Sequence, residues 1–133
     1  MIYNNENQCE MTTHTKRGTI LFAHGSRDPL WCKPIEAVAS QIGLIAPEVQ
    51  VRCAYLELMA PDLPASTAEL AELGVTTITV VPMFLGVGKH AREDLPLIME
   101  ALQLSHPQIT FELKAAIGEQ SKMIELMAQI ALS

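Results

Sequence analysis

Aromatic side chains are scarce in this sequence of 133 residues, which holds one Trp, two Tyr and three Phe, or 5% of the chain. That leaves little to stack on bases. Positive charge is short too: nine Lys and Arg stand against fifteen Asp and Glu, for a formal net charge of -6 and a pI of about 5.1. Phosphate backbones and anionic headgroups both need positive patches, so nucleic acid and membrane surfaces are not expected as partners. Cysteine is limited to Cys9, Cys32 and Cys53, an odd number with no CxxC pair, which argues against a disulfide framework and a zinc ribbon. The most apolar stretch, residues 78–87, is about half the ~20 residues of a membrane span and is interrupted by Pro82. Residues 1–17 are polar, with no basic flank leading into an apolar core, so they do not read as a signal peptide. A cytoplasmic, soluble protein is the expectation.

What is present is a hydrophobic content of 49%, enough for one domain at this length. Residues 1–17 offer almost no apolar periodicity and are expected to be a disordered extension, with a single domain over residues 18–133. The short apolar run 19–23 reads as a strand buried on both faces. Pro34 near a helix start, with Ile35, Val38, Ala39 and Ile42 on one stripe, predicts a helix ending at Gly43. Residues 49–56 predict a second strand, and Pro61 and Asp62 then open a helix that stops at Gly74. Residues 75–81 form the strongest strand signal, and the loop 84–90 leads to a helix with Leu95, Ile98, Met99 and Leu102 on one face. Residues 109–113 and an amphipathic segment carrying Met123, Ile124, Met127, Ala128 and Ala131 complete the pattern. The order βαβαβαβα implies an α/β fold, an open, mostly parallel four-stranded sheet with flanking helices. Four strands are few for such a sheet, so a homodimer is expected to cover the surplus face.

In open parallel sheets ligands collect outside the carboxyl ends of the strands. His24 closes the first strand, Glu57 the second, and His90 lies in the loop after the third, so the three should meet on one rim. Two imidazoles and a carboxylate suit a divalent first-row metal, and the imidazoles also move protons near neutral pH. Small residues beside them, Gly25 and Ser26 next to His24 and Gly86 and Gly88 before His90, allow a ligand close to the backbone. Each histidine alone would more often be a solvated loop residue, and Glu57 alone a surface acid; their shared placement is the argument. Competing motifs are missing. Residues 86–90 (GVGKH) lack the spacing and the Ser or Thr of a P-loop, no G-x-G-x-x-G follows the first strand, and receiver-type acidic positions are occupied by His24 and Pro82. Ser26 has no G-x-S-x-G around it.

Three blocks in order, residues 21–29 (LFAHGSRDP), 55–64 (YLELMAPDLP) and 81–96 (VPMFLGVGKHAREDLP), resemble the signature blocks of the CbiX-type sirohydrochlorin chelatases, and the similarity extends over roughly residues 18–130. The resemblance implies a single chelatase-like half that works as a homodimer. Its activity would be ATP-independent insertion of a divalent metal (Co2+, or Fe2+ or Ni2+ in relatives) into sirohydrochlorin, on the way to cobalamin, sirohaem or coenzyme F430. No prosthetic group is implied; the metal is a substrate. By matching positions, His24 and His90 would bind metal and accept protons, with Glu57 as their acidic partner. Lys89 departs from the pattern, standing where many relatives have Gly. Because the macrocycle is polyanionic and the protein acidic, cations must hold it locally, and Arg27, Arg92 and Lys89 are the candidates, with Ser26 and Gly88 beside them. The contrasting reading is a noncatalytic carrier of metal or tetrapyrrole on the same fold.

Overall fold

A computed structural model describes residues 15–133; residues 1–14 of the expected N-terminal extension lie outside the described residues. Strand β1 (Arg17–Ala23) starts two residues earlier than its apolar run suggests and takes in Arg17, the last residue of the expected disordered extension. Pairing extends back to Lys16, which accepts from the Thr76 backbone N–H at 2.8 Å and donates its own to Thr76 Oγ1 at 3.0 Å. Helix α1 (Lys33–Ile45) has Pro in its first turn, where the missing N–H is no loss, and passes through Gly43 for two more residues. Gly43 therefore does not stop the helix; Ala46 caps it instead.

Strand β2 (Gln50–Tyr55) is shorter than expected at both ends, and helix α2 (Leu63–Glu72) follows it. Asp62 caps α2 by accepting from the Ala65 N–H at 2.9 Å, and Gly74 leaves it at φ +83°, a conformation that suits glycine. Strand β3 (Thr77–Pro82) loses Val75 and Thr76 to the turn before it, where their N–H groups donate to Leu70 and Lys16 carbonyls. Helix α3 (Lys89–Ser105), strand β4 (Thr110–Leu113), a 3-10 turn (Ile117–Glu119) and helix α4 (Ser121–Leu132) complete the order. The 3-10 turn has no counterpart in the hydrophobic pattern.

All four strands are parallel, in the order β2-β1-β3-β4. The chain leaves β1 toward one edge and β3 toward the other, so the connections part between these two central strands. Right-handed crossovers then put α1 on one face and α2 and α3 on the opposite one. The second face holds the main core: Ile20, Phe22, Ala54, Ile78 and Val80 of the sheet against Leu63 and Leu70 of α2 and Leu95 and Leu102 of α3. Each of these side chains except that of Ala54 contributes about 1.5–3 kcal/mol by leaving water. The α1 face carries a smaller cluster of Ala23, Cys32 and Tyr55 with half-buried Ile35, Cys53 and Met83. Among the described residues no helix is long and apolar enough to cross a membrane.

Candidate functional site

The strand register brings His24 and Glu57 together. β1 and β2 pair through Ala23 and Tyr55, and the ladder continues past the strand ends: the Leu56 N–H donates to Ala23 O at 2.9 Å and the Glu57 N–H to His24 O at 3.0 Å. Gly25 makes this approach possible. It sits at φ +98°, and a Cβ there would lie 1.9 Å from the Glu57 carbonyl oxygen. Leu58, two residues beyond Leu56, also takes a positive φ of 68° as the chain turns back toward α2.

His90 reaches the same rim from the other side. It is the second residue of α3 rather than a loop residue, because Gly88 takes an extended conformation (φ -66°, ψ 165°) and starts the helix at once. His24, Glu57, Lys89, His90 and Gly88 then line one groove of about 490 Å³ at the carboxyl edge of the sheet, with Leu56, Ala91 and Asp94. An apolar recess adjoins it, lined by Phe22, Leu56, Leu95 and Ile98 as well as His90 and Asp94. The groove lies beside the split between β1 and β3, where open α/β sheets place their ligands.

Three of the expected binding residues do not line this groove. The Ser26 hydroxyl is occupied in turning the loop, accepting from the Asp28 N–H at 3.0 Å. Arg27 is exposed and outside the groove wall. Arg92 is two residues past His90, roughly 200° around the helix, and its guanidinium donates to the Val87 carbonyl at 2.6 Å. Lys89 is the cation that the fold does bring to the wall. Conversely, Asp94 lines the groove although nothing singled it out in the sequence. The signal was available: it follows His90 by four residues, and on a helix that spacing shares a face.

Among the described residues, no three His, Cys, Asp or Glu side chains lie close enough together to hold a metal ion. His24, Glu57 and His90 are all exposed around a wide groove, so they face a common space without closing into a cage. Chemically, the site offers two imidazoles able to take protons, two carboxylates able to attract a cation, and one ammonium able to hold an anion. The His24 ring stacks on Phe84, with centroids 4.2 Å apart.

A second titratable group cluster lies under α1. Burial, then the nearby Glu36 charge, pushes the Cys53 thiol up; burial, then Cys53, does the same to the Tyr55 phenol. Both are neutral at ordinary pH. Cys32 and Cys53 are free thiols.

Comparison with known proteins finds relatives by sequence and by fold. A family model described as CbiX matches residues 18–132. A sirohydrochlorin cobaltochelatase of Methanosarcina acetivorans is 34% identical over 84 residues, covering 63% of this chain and 65% of that protein. The one from Methanococcoides burtonii is 32% identical over 85 residues, covering 64% and 65%. The match thus spans a little less than two thirds of these curated relatives. Among solved structures, a protein described as a putative cobalamin biosynthesis CbiX protein from Marinobacter aquaeolei superposes with a TM-score of 0.76 at 32% identity, over 87% of this chain and 94% of that one. The sirohydrochlorin chelatase SirB from Bacillus subtilis, solved with cobalt, gives 0.74 at 21% identity over 88% and 50%, a likeness of fold.

Proposed function

The chain belongs to the CbiX family, and on that footing we propose that it is a sirohydrochlorin chelatase inserting a divalent metal, Co2+ first and Fe2+ or Ni2+ as further candidates, without ATP. The observation that carries the proposal is the groove: His24 from the end of β1 and His90 from the start of α3 line one space together with Glu57. Insertion removes two pyrrole protons and transfers a partly dehydrated cation. Neutral imidazoles can accept the protons, while Glu57 and Asp94 attract the ion. An open groove suits a metal that is substrate, since a closed set of protein ligands would retain the ion that has to be released into the macrocycle. Lys89 supplies a positive charge for a macrocycle carboxylate, and Leu56 and Ala91 give the groove apolar surface for a flat ring.

A homodimer is part of the proposal. Neither α1 nor α4 buries any residue, and Ile124, Leu126 and Ile130 of α4 are exposed, so a second copy is the simplest cover for them. Free Cys32 and Cys53 fit the reducing cytoplasm, where the reaction is placed.

The test is a chelation assay following the visible bands of sirohydrochlorin with Co2+, Fe2+ and Ni2+ in turn, without nucleotide. The expected result is acceleration over the uncatalysed rate for Co2+, reduced to that rate by His90→Ala. Tight binding of macrocycle without turnover in the wild type would replace the enzyme with a carrier.

A further inference from the structure

An exposed histidine at a strand end can adopt several rotamers, yet a proton acceptor works best in one. The structure gives His24 a backing. Its ring lies on Phe84 with an interplanar angle of 23° and centroids 4.2 Å apart, the geometry of a stacked pair. Phe84 is itself fixed: it is 3% exposed, and its ring meets Phe22 of β1 at 6.1 Å and 55°. The backbone is held as well. The Phe84 carbonyl accepts from the Gly118 N–H at 2.9 Å, which ties the β3–α3 loop to the 3-10 turn after β4. Contact there is close enough that a Cβ on Gly118 would lie 2.1 Å from the Leu85 carbonyl oxygen and 2.3 Å from its Cα.

We infer that Phe84 is a positioning residue for His24, and that Gly118 sets Phe84 by letting the 3-10 turn press against the loop backbone. The order of support runs from Gly118 through the Phe84 backbone to its ring, and from the ring to the imidazole. None of these groups needs to touch the substrate. The 3-10 turn, distant in sequence from every motif residue, thereby acts on the groove. The kinetic consequence rests on the chelatase proposal, whereas the orientation of His24 does not.

Both halves are tested on the full chain with Phe84→Leu, Phe84→Tyr and Gly118→Ala. In proton NMR, with His24 assigned by His24→Ala, stacking shifts the His24 ring protons upfield. Phe84→Leu is expected to remove that shift, Phe84→Tyr to keep it, and Gly118→Ala to reduce it. In the chelation assay Phe84→Leu should lower kcat roughly 3- to 10-fold, the span that one aromatic pair is worth, with the KM for macrocycle little changed and Phe84→Tyr restoring the rate. His24 resonances unmoved in a folded Phe84→Leu protein would overturn the inference. Should Phe84→Leu not fold, Gly118→Ala carries the test: unchanged His24 resonances there overturn the link to the 3-10 turn, and a Phe84→Tyr protein with its upfield shift lost overturns the stack. If the NMR shifts behave as expected but the wild type shows no chelation, the positioning stands and the chelatase proposal falls.

Discussion

The two faces of the sheet are built differently. Under α2 and α3 lies an almost continuous core in which Leu63, Leu70, Ile78 and Val80 are at most 2% exposed. Under α1 the cluster is small, and α1 and α4 leave Val38, Leu44, Ile124 and Ile130 in water. The candidate groove belongs to the well-packed side, since Phe22 and Leu95 of that core also line its apolar recess, and Phe84 of the same core stacks on His24. A site that needs fixed geometry rests on the elements least able to move. The other face is free to serve as an interface.

The largest effect expected on this comparison comes from the groove itself. Gly25→Ala places a methyl against the Glu57 carbonyl at a positive φ, so His24 and Glu57 must separate; chelation should fall on the order of 100-fold. A Gly25→Ala protein with wild-type rates would show that their adjacency is incidental. Next, Leu70→Ala on the packed face should destabilise by about 2–5 kcal/mol in urea unfolding. By contrast, Ile130→Glu on α4 should change stability by less than about 0.5 kcal/mol in dilute protein, while moving sedimentation from the proposed dimer to monomer. Equal losses at the two positions would erase the distinction between the packed core and the exposed helix.

The smallest effect is alkaline. Cys53 and Tyr55, on the α1 face, have folded-state values raised above their ordinary 9.0 and 10.0. Folding therefore favours their neutral forms. The stability linked to them is fully present below about pH 9 and declines as pH rises beyond it, because the unfolded chain releases these protons first. Urea midpoints measured at about pH 8 and pH 10.5 should show the decline, and Cys53→Ala should flatten it. A midpoint that does not fall over this interval would contradict the burial of both groups.

Much of this arrangement was legible along the chain because short apolar runs alternate with helical stripes, and only parallel pairing with crossovers accommodates that order. The rule that ligands gather at the carboxyl ends of strands was then enough to select His24, Glu57 and His90. Element ends were less legible. Gly43 was expected to stop α1, yet a glycine with open space around it can remain helical; Gly74 does stop α2, because the chain there needs a positive φ. His90 passed for a loop residue since nothing in the GVGKH segment shows that Gly88 is already the helix cap.

Arg92 and Asp94 show what proximity in sequence leaves out. Arg92 is nearer to His90 along the chain, but two residues on a helix point apart and four point together, so the carboxylate lines the groove and the guanidinium turns to Val87. The sequence by itself determined the fold class, the three blocks that mark the family, and the strand ends where chemistry gathers, because hydrophobic period and turn residues are local. Only the tertiary structure decided the strand order, the stacking of His24 on Phe84, the close contact of Gly118 with Leu85, and the contrast between a filled and an unfilled face. Each depends on residues far apart in the chain being brought within a few ångströms, and no local pattern encodes that distance.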